Sequence, residues 1–273
     1  MLNFIDKKIR QAFSDAALHY DVLASLQKEI GRDLLARLRS VENQLFIDEK
    51  IGQREIAILD IGMGTGWLTK RLADFFVDAK VYGLDFASGM VEIAKGKYDE
   101  FHIIQANACA LPFKEKSFDL IISNLTYQWI MDLPKAFDQA YHQLKPEGHF
   151  YFTLFGGETC QELFVSLEKT AKDNVFDQQL FMKRLGRRDQ VRKALEGSGF
   201  KDIKIDYERI KTRFPDMLSL VKWLKDIGAN TLDRDFFVGK DWLNRANDHY
   251  NQTFRDHLGV FATFEVIWVK ASK

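Results

Sequence analysis

Apolar residues recur along this chain with two different spacings, and the spacing changes repeatedly between residues 56 and 155. Short runs rich in β-branched residues, such as residues 56–61, are typical of strands buried on both faces. Runs with apolar residues three or four positions apart, such as residues 67–77, predict helices that bury one face. The two kinds of run alternate, which predicts an α/β fold with a doubly wound, mostly parallel sheet.

The predicted strands and helices extend to the end of the chain. Strands are predicted at residues 56–61, 80–85, 101–105, 117–124 and 149–155, and two more at 202–210 and 260–270 complete a sheet of seven. Helices are predicted at residues 67–77, 88–97, 134–144, 158–172 and 187–199, and a turn at 145–148. Two further helices, at 217–227 and 240–254, form an insertion at about 214–256 before the last strand, which we interpret as a substrate lid.

Residues 1–46 are helical by pattern and precede the first strand. A stripe of apolar residues at intervals of three and four marks one helix: Phe13, Ala16, Ala17, Tyr20, Leu23 and Ala24. A second amphipathic helix follows at about residues 30–45. We therefore expect a single domain, 1–273, with an N-terminal helical lid at 1–50, a cofactor-binding core at 51–157 and a C-terminal half at 158–273. For Phe13, packing on the core is the equal alternative to a lid role.

A glycine-rich turn follows the first strand. Asp60 precedes three glycines at alternate positions, Gly62, Gly64 and Gly66. Glycine lets the backbone turn sharply and lets a ligand approach closely, and the helix that follows offers amide donors at its N-terminus. The third glycine lies one residue earlier than in the G-x-G-x-x-G pattern of dinucleotide enzymes, so an NAD-dependent dehydrogenase is disfavoured. A tight loop with no ligand is the alternative interpretation.

Asp85 ends the second predicted strand. A carboxylate at that place can accept hydrogen bonds from both hydroxyl groups of a ribose. The alternative is that Asp85 caps the helix predicted to begin near Ser88. Because acids occur at the ends of two consecutive strands, we favour a ligand-binding role.

Composition and charge limit the functional classes. The chain has 273 residues, 46% of them hydrophobic and 29% charged, with a formal net charge of zero. No global field therefore attracts nucleic acid or an anionic membrane. Cys109 and Cys160 form no C-x-x-C pair, so no zinc site or disulfide framework is predicted. We find neither a signal peptide nor an apolar run of roughly 20 residues, and we expect a cytoplasmic protein.

The pattern D-x-G-x-G-x-G at residues 60–66 resembles motif I of class I S-adenosylmethionine-dependent methyltransferases, whose fold is Rossmann-like. This resemblance implies S-adenosyl-L-methionine as cofactor and no metal. The cofactor-binding residues that it implies are Asp60, Gly62, Gly64, Gly66, Asp85, Phe86, Met90, Asn107, Ala108 and Asn124. The family usually has aspartate where this chain has Asn107. The amide oxygen of Asn107 can still accept a hydrogen bond, and an Asx-type turn is its alternative role.

Four longer stretches, at residues 13–27, 123–129, 152–163 and 217–229, are similar to those of the malonyl-acyl carrier protein methyltransferases of biotin synthesis. This resemblance implies methyl transfer to the free carboxylate of a malonyl thioester carried on acyl carrier protein. Tyr20, Gln128 and Trp129 are the implied catalytic residues, with Asn124 and Tyr127 beside them in the pocket. Trp129 and Tyr127 are equally well explained as core aromatics.

The implied partner is a small acidic carrier protein, so a basic docking face is expected near Arg187 and Arg188. Further cations lie at residues 183–184, 211, 213, 222 and 225, although such clusters are commonly only solvated. A quinone-pathway or other small-molecule methyltransferase is the alternative enzyme. It would need a base, for which His19 or His102 is conceivable. A non-enzymatic cofactor-binding subunit is the alternative outside the enzymes.

Overall fold

A computed structural model describes residues 4–45, 56–171, 187–229 and 239–273, with only the backbone described at 40–45. Its helices are α1 (Phe4–Leu23), α2 (Ser25–Leu45), α3 (Trp67–Phe75), α4 (Ser88–Lys97), α5 (Leu133–Gln143), α6 (Gln161–Thr170), α7 (Arg188–Gly197), α8 (Met217–Asp226) and α9 (Lys240–Thr253). Its strands are β1 (Ala57–Ile61), β2 (Lys80–Asp85), β3 (His102–Gln105), β4 (Phe118–Asn124), β5 (Leu144–Phe155), β6 (Lys201–Phe214), β7 (Arg255–Asp256) and β8 (Gly259–Ser272). A short 3₁₀ helix spans Tyr127–Trp129.

The strands form one sheet with the order β3-β2-β1-β4-β5-β8-β6. The first five strands are parallel to their neighbours, and β8 runs antiparallel between β5 and β6. This path confirms the mostly parallel, seven-stranded, doubly wound sheet. The two-residue strand β7, which pairs with β8, adds a short eighth strand. The carboxyl ends of β1, β2 and β4 lie at one edge, where open α/β sheets bind ligands.

Hydrophobic cores cover both faces of the sheet because adjacent side chains of a strand point to opposite faces. Ile58 of β1 belongs to one core, which also contains Leu34 of α2 and Leu72 of α3. Its neighbour Leu59 belongs to the other, with Phe137 of α5 and Leu195 of α7. Burial on both faces explains the continuous apolar run in β1.

The two N-terminal helices have different roles. In α2, Leu26, Ile30 and Leu34 are at most 4% exposed and form part of the first core, so α2 is a structural layer of the sheet. Helix α1 instead lies against α4: a Cβ on Gly89 would come within 2.4 Å of the Ser14 carbonyl oxygen. Of the two helices, α1 is the one that lies beside the carboxyl edge, and its lid role stays a prediction.

The turn predicted at residues 145–148 lies inside β5, which begins at Leu144. Leu144 pairs with Phe118 and His149 pairs with Leu120, so the intervening residues form a bulge in the ladder. Glu147, with a φ of 65°, supplies the left-handed conformation. The proline and glycine signal was therefore correct about an irregular backbone, but this irregularity interrupts the strand without ending it.

Helices α8 and α9 lie between β6 and β8, as predicted for the insertion. Parts of several predictions lie outside the described residues: residues 46–50 of the lid, residue 172, the cations at 183–184, and residues 230–238 of the insertion. In the described ranges, no helix has the length and apolar character needed to cross a membrane.

Candidate cofactor and substrate site

The glycine loop after β1 uses its three glycines differently. All three have positive φ, at 76°, 58° and 86° for Gly62, Gly64 and Gly66. A Cβ on Gly62 would lie 2.0 Å from Thr126 Oγ1, so this glycine permits close packing within the protein. A Cβ on Gly64 would meet only the ring of Tyr20, at 3.9 Å. Gly64 therefore presents its backbone to the space beneath Tyr20.

Asp85 ties the end of β2 to this loop. Its Oδ2 accepts a hydrogen bond from the Gly64 amide at 2.8 Å, and its Oδ1 accepts one from the Ala87 amide at 2.8 Å. Burial raises the pKa of the carboxyl group above its usual value, and the backbone donors partly oppose this shift. Each oxygen has a second lone pair, so the same carboxylate can bind hydroxyl groups while it holds the loop. The N-cap of α4 is Ala87, which argues against Asp85 as the helix cap.

Asp60, at the end of β1, is 1% exposed. Its Oδ2 accepts a hydrogen bond from the Thr69 hydroxyl at 2.6 Å, whereas the buried Oδ1 receives no donor from the described part of the chain. Burial raises the pKa of Asp60 to about 7, the Thr69 donor opposes the shift, and the charge of Asp85 adds to it. A buried carboxylate with an unused oxygen fits a cationic ligand group such as an ammonium.

Residues from α1 and α4 form an apolar wall beside these acids. Met90 is 1% exposed and packs with Ala17 and Ala87, and Tyr20 lies against the same cluster. The ring of Phe86 lies 5.6 Å from the Arg10 guanidinium carbon, a cation–π distance. Two acids, an open glycine backbone and an apolar wall together fit a cofactor with hydroxyl, cationic and aromatic parts.

Tyr20 is placed over the glycine loop by α1. Burial raises the pKa of its hydroxyl above the usual range, and the charges of Asp85 and Asp21 add to the effect. The phenol therefore stays protonated at neutral pH and can donate a hydrogen bond.

Asn107 and Ala108 follow β3. Asn107 Oδ1 accepts a hydrogen bond from the Cys109 amide at 2.8 Å, which is the Asx-type turn considered as the alternative. The oxygen keeps one lone pair for a ligand. Ala108 is 7% exposed and packs in the second hydrophobic core. The cofactor contacts assigned to both residues stay predictions.

Asn124 and the residues after it are largely engaged with protein. Asn124 donates from Nδ2 to the Gln27 carbonyl at 2.9 Å, and its Oδ1 accepts from the Thr153 hydroxyl at 2.8 Å. Gln128 is 9% exposed and donates from Nε2 to the Leu125 carbonyl at 2.7 Å. Cofactor contact by Asn124 and catalysis by Gln128 stay predictions. Each would require a further hydrogen bond from the side-chain amide, in addition to those described here.

The two aromatic residues of the 3₁₀ helix, Tyr127 and Trp129, lie in different environments. Tyr127 is fully buried and stacks on Phe137 with ring centroids 5.1 Å apart, so it is a core aromatic. Trp129 is half-buried, and its ring forms a T-shaped pair with that of Phe13, with centroids 5.2 Å apart. Trp129 and Phe13 thus connect the loop after β4 to α1.

Asp21 was missed at the sequence level and joins three elements at the site. Its Oδ1 accepts a hydrogen bond from the Thr65 hydroxyl of the glycine loop at 2.8 Å. Its carboxylate also forms ion pairs with Lys97 at the end of α4 and with Lys28, the latter at 3.3 Å. Burial would raise the pKa of Asp21, but the hydrogen bonds from Lys97 and Thr65 outweigh it and hold the pKa below its usual value. An acid in the last turn of α1 opposes the helix dipole, and that conflict is the signal that could have identified it.

Replacing Asp21 with asparagine is expected to loosen α1 over the glycine loop. The ion pairs with Lys97 and Lys28 would be lost, and because the group is partly exposed we expect a cost on the order of 1 kcal/mol. Hydrogen exchange should rise in α1, and calorimetry should show about fivefold weaker binding of the predicted cofactor. Asp74→Asn is the matched control, because it removes an exposed ion pair with Lys70 within α3. Unchanged exchange and affinity in Asp21→Asn would contradict this role.

The other candidate residues lie apart from these acids. His102 is exposed at the beginning of β3, the opposite edge of the sheet, and stacks on Tyr82 at 4.7 Å. His19 is exposed on α1. In the ranges that the structure covers, no three His, Cys, Asp or Glu side chains group together in a way that could hold a metal ion.

The two arginines of the expected basic face are both paired within the chain. Arg187 forms an ion pair with Asp189 at 3.3 Å. Arg188 lies 3.7 Å from the buried carboxylate of Glu265 and stacks over Tyr207 at 3.7 Å. Arg188 therefore has a structural role that the sequence did not indicate.

Comparison with known proteins agrees with this geometry. A family model described as "Methyltransferase domain" matches residues 59–152. A solved S-adenosylmethionine-dependent methyltransferase from Thermotoga maritima, described as a possible histamine N-methyltransferase, has a TM-score of 0.54 and 16% identity. That match covers 96% of this chain and 99% of that one, and it shows a common fold.

Two curated relatives are both called malonyl-[acyl-carrier protein] O-methyltransferase. The relative from Methylococcus capsulatus is 30% identical over 96% of this chain and 92% of its own length. The relative from Gallionella capsiferriformans is 32% identical over 98% of this chain and 91% of its own length. Matches of this extent confirm the resemblance found in the sequence: the chain belongs to the malonyl-[acyl-carrier protein] O-methyltransferase family.

Proposed function

We propose that this protein transfers a methyl group from S-adenosyl-L-methionine to the free carboxylate of a malonyl thioester on acyl carrier protein. The products are the methyl ester, which serves biotin synthesis, and S-adenosyl-L-homocysteine. The observation that carries the proposal is that Asp85 and Gly64 meet beneath Tyr20, with the buried Asp60 close enough to feel the charge of Asp85, in a chain of this family. We further propose a cytoplasmic location.

The cofactor supplies an electrophilic methyl group on a sulfonium, and the residues around it account for its other parts. Asp85 would accept hydrogen bonds from the ribose hydroxyls, and Asp60 would bind the ammonium group with its unused buried oxygen. Phe86 and Met90 would flank the adenine. Asn107 would accept from the adenine amino group through its remaining lone pair.

The reaction needs no general base in the protein. A malonyl carboxylate has a pKa of about 4 and is already ionised at neutral pH. The chain must therefore orient this oxygen and exclude the water that would solvate it. Tyr20 is a protonated donor, and Trp129 with Phe13 forms an aromatic wall. Such neutral contacts would position a carboxylate without the tight ion pair that would reduce its nucleophilicity.

The direct test is to incubate the purified protein with labelled S-adenosylmethionine and three acceptors: malonyl carrier protein, malonyl-CoA and a quinone precursor. Mass analysis should find one added methyl group on the malonyl carboxylate. Methylation of the quinone precursor alone would support the alternative enzyme. Cofactor binding without turnover of any acceptor would support the non-enzymatic subunit.

His19→Ala and His102→Ala are expected to keep nearly the full turnover, because no proton is removed from an ionised carboxylate. With the cofactor saturating, the rate should fall only in acid, as the substrate becomes protonated near pH 4. Steady-state kinetics from pH 4 to 9 measure both effects. A large fall in turnover for either variant, with cofactor affinity intact, would instead favour a reaction that needs a base.

The partner in this proposal is the carrier protein that bears the substrate. A basic docking face at Arg187 and Arg188 stays a proposal. Both arginines form ion pairs within the chain, which makes this face difficult to test by charge reversal. Reversing Arg188 would leave the carboxylate of Glu265, whose side chain is 5% exposed, without its cation, and a buried unpaired charge is destabilising. Arg187→Glu is therefore the cleaner probe of that face.

A further inference from the structure

A groove of about 870 Å³ runs between the outer faces of α1 and α8. Ala12, Ala16 and Leu23 of α1 form its apolar part, and Lys8 lies at one of its borders. Lys222 and Lys225 of α8 form the opposite border. An apolar floor with charged borders is the composition of a protein-binding surface.

The charges of this groove are incompletely paired. Lys222 forms an ion pair with Asp226, and Asp15 accepts a hydrogen bond from Gln11 at 2.7 Å. Lys8 lies over the ring of Phe4, 5.0 Å from its centroid, but neither Lys8 nor Lys225 has a carboxylate within ion-pair distance in the part of the chain that the structure describes. This differs from the α7 face, where Arg187 and Arg188 are both paired. Unpaired cations remain available to an acidic partner.

The groove adjoins the candidate substrate site through fixed contacts. Trp223 of α8 donates from Nε1 to the Leu23 carbonyl at 2.9 Å, which holds the two helices together. A Cβ on Gly228 would lie 3.0 Å from the Ala12 carbonyl oxygen and 3.1 Å from the Phe13 ring. Phe13 in turn contacts Trp129, so Ala12 in the groove and Phe13 in the aromatic wall of the site are neighbours on α1.

The outer surface of α1 also exposes large apolar side chains. Val22, which lines the groove, is 85% exposed, and the nearby Leu18 is 77% exposed. Singly exposed apolar residues need no explanation, but here they border a groove with cationic edges. An amphipathic helix with acidic flanks matches both features.

We propose that the groove between α1 and α8 docks an acidic helix of the carrier protein. This inference rests on the proposed function, which requires such a carrier, and it places the carrier beside the lid. Lys8 and Lys225 would attract the acidic flanks, while Val22 and the apolar floor would contact the helix itself. The thioester would then be delivered close to Phe13 and Trp129.

The test is the double variant Lys8→Glu and Lys225→Glu, assayed with malonyl carrier protein and with malonyl-CoA, which carries the thioester without the protein. We expect KM for malonyl carrier protein to rise about tenfold or more. We also expect this KM to depend less steeply on salt concentration than it does in the wild type. The kinetics with malonyl-CoA should be unchanged. The matched control is Lys95→Glu with Lys114→Glu, two exposed lysines outside the groove, which makes the same change in net charge.

Each possible result either supports or contradicts docking of the carrier protein in this groove. A rise in KM for the carrier substrate in the groove variant alone supports docking there. No rise, an equal rise in the control, an equal loss on both substrates, or a rise only in Arg187→Glu overturns it. A wild-type enzyme that methylates neither malonyl substrate overturns the proposed function itself. As an independent probe, Val22→Asp should also raise KM for the carrier substrate alone.

Discussion

Asp85→Asn is expected to bind S-adenosylmethionine about 10- to 150-fold more weakly than the wild type. The carboxylate is proposed to hold the ribose, and loss of hydrogen bonds to a charged acceptor costs about 1.5–3 kcal/mol. The amide also replaces one acceptor by a donor, which would face the amide of Gly64 or Ala87, both now donating at 2.8 Å. The variant should therefore weaken the glycine loop as well as the ligand contact. Calorimetric titration with the cofactor measures the first effect, and hydrogen exchange at Gly64 measures the second.

Asp119→Asn provides the control for Asp85→Asn. Asp119 also accepts a hydrogen bond from a backbone amide, that of Ala57 at 2.9 Å, but it lies near the start of β4 at the opposite edge of the sheet. We expect it to lower the free energy of unfolding while the cofactor affinity stays the same. Wild-type affinity in Asp85→Asn would remove Asp85 from the cofactor site.

The sequence predicted β1, β2 and β4 closely because each follows from a local pattern. Apolar runs identify β1 and β4 as strands buried on both faces, and an acid lies at the end of β1 and of β2. The Asp60 and Asp85 positions followed from the same logic, since parallel strands bring their carboxyl ends to one edge. The ranges Lys80–Asp85 and Ser88–Lys97 were predicted at their observed bounds.

Contacts between distant segments could not be predicted in this way. A helical stripe shows that α1 and α2 each bury one face, but it does not show that α2 covers the sheet while α1 lies on α4. The same limit applies to Asn124: no local pattern indicated that its amide links Gln27 and Thr153, and its cofactor contact stays a prediction. Arg188 was expected on a docking face because the implied partner is acidic, and its ion pair with Glu265 could not be anticipated because the two residues are far apart in sequence.

Asp60 and Asp85 together explain why the empty and bound forms of this site should respond differently to pH. Burial is the main cause that raises the pKa of both carboxyl groups, and the charge of Asp85 raises the pKa of Asp60 further. Two nearby anions without a cation are unfavourable in a buried site. A cofactor with a cationic ammonium and sulfonium would relieve this and favour the ionised form of Asp60.

Asp60→Asn is accordingly expected to make the cofactor-free protein more stable at neutral pH and a weaker binder. In the folded wild type, burial raises the pKa of Asp60 from its usual value of 3.8 to about 7. A raised pKa means that the protonated folded state is favoured, so this stabilising contribution is complete below about pH 4 and is lost as the pH rises through 7. The difference of about three between the two pKa values corresponds to a change in the free energy of unfolding of at most about 4 kcal/mol. Asparagine cannot ionise, and its amide oxygen can still accept the Thr69 hydrogen bond.

Urea unfolding of both proteins without cofactor, from pH 4 to 8, measures this difference. The free energy of unfolding of Asp60→Asn minus that of the wild type should increase between pH 4 and 7 and then level off. A difference that stays constant over this range would show that Asp60 is ionised throughout. In the wild type, cofactor binding near pH 7 should release a fraction of a proton as Asp60 ionises, seen by calorimetry in buffers of different ionisation enthalpy. Asp60→Asn should bind more weakly and lack this part of the proton release, because the group proposed to pair with the ammonium no longer titrates.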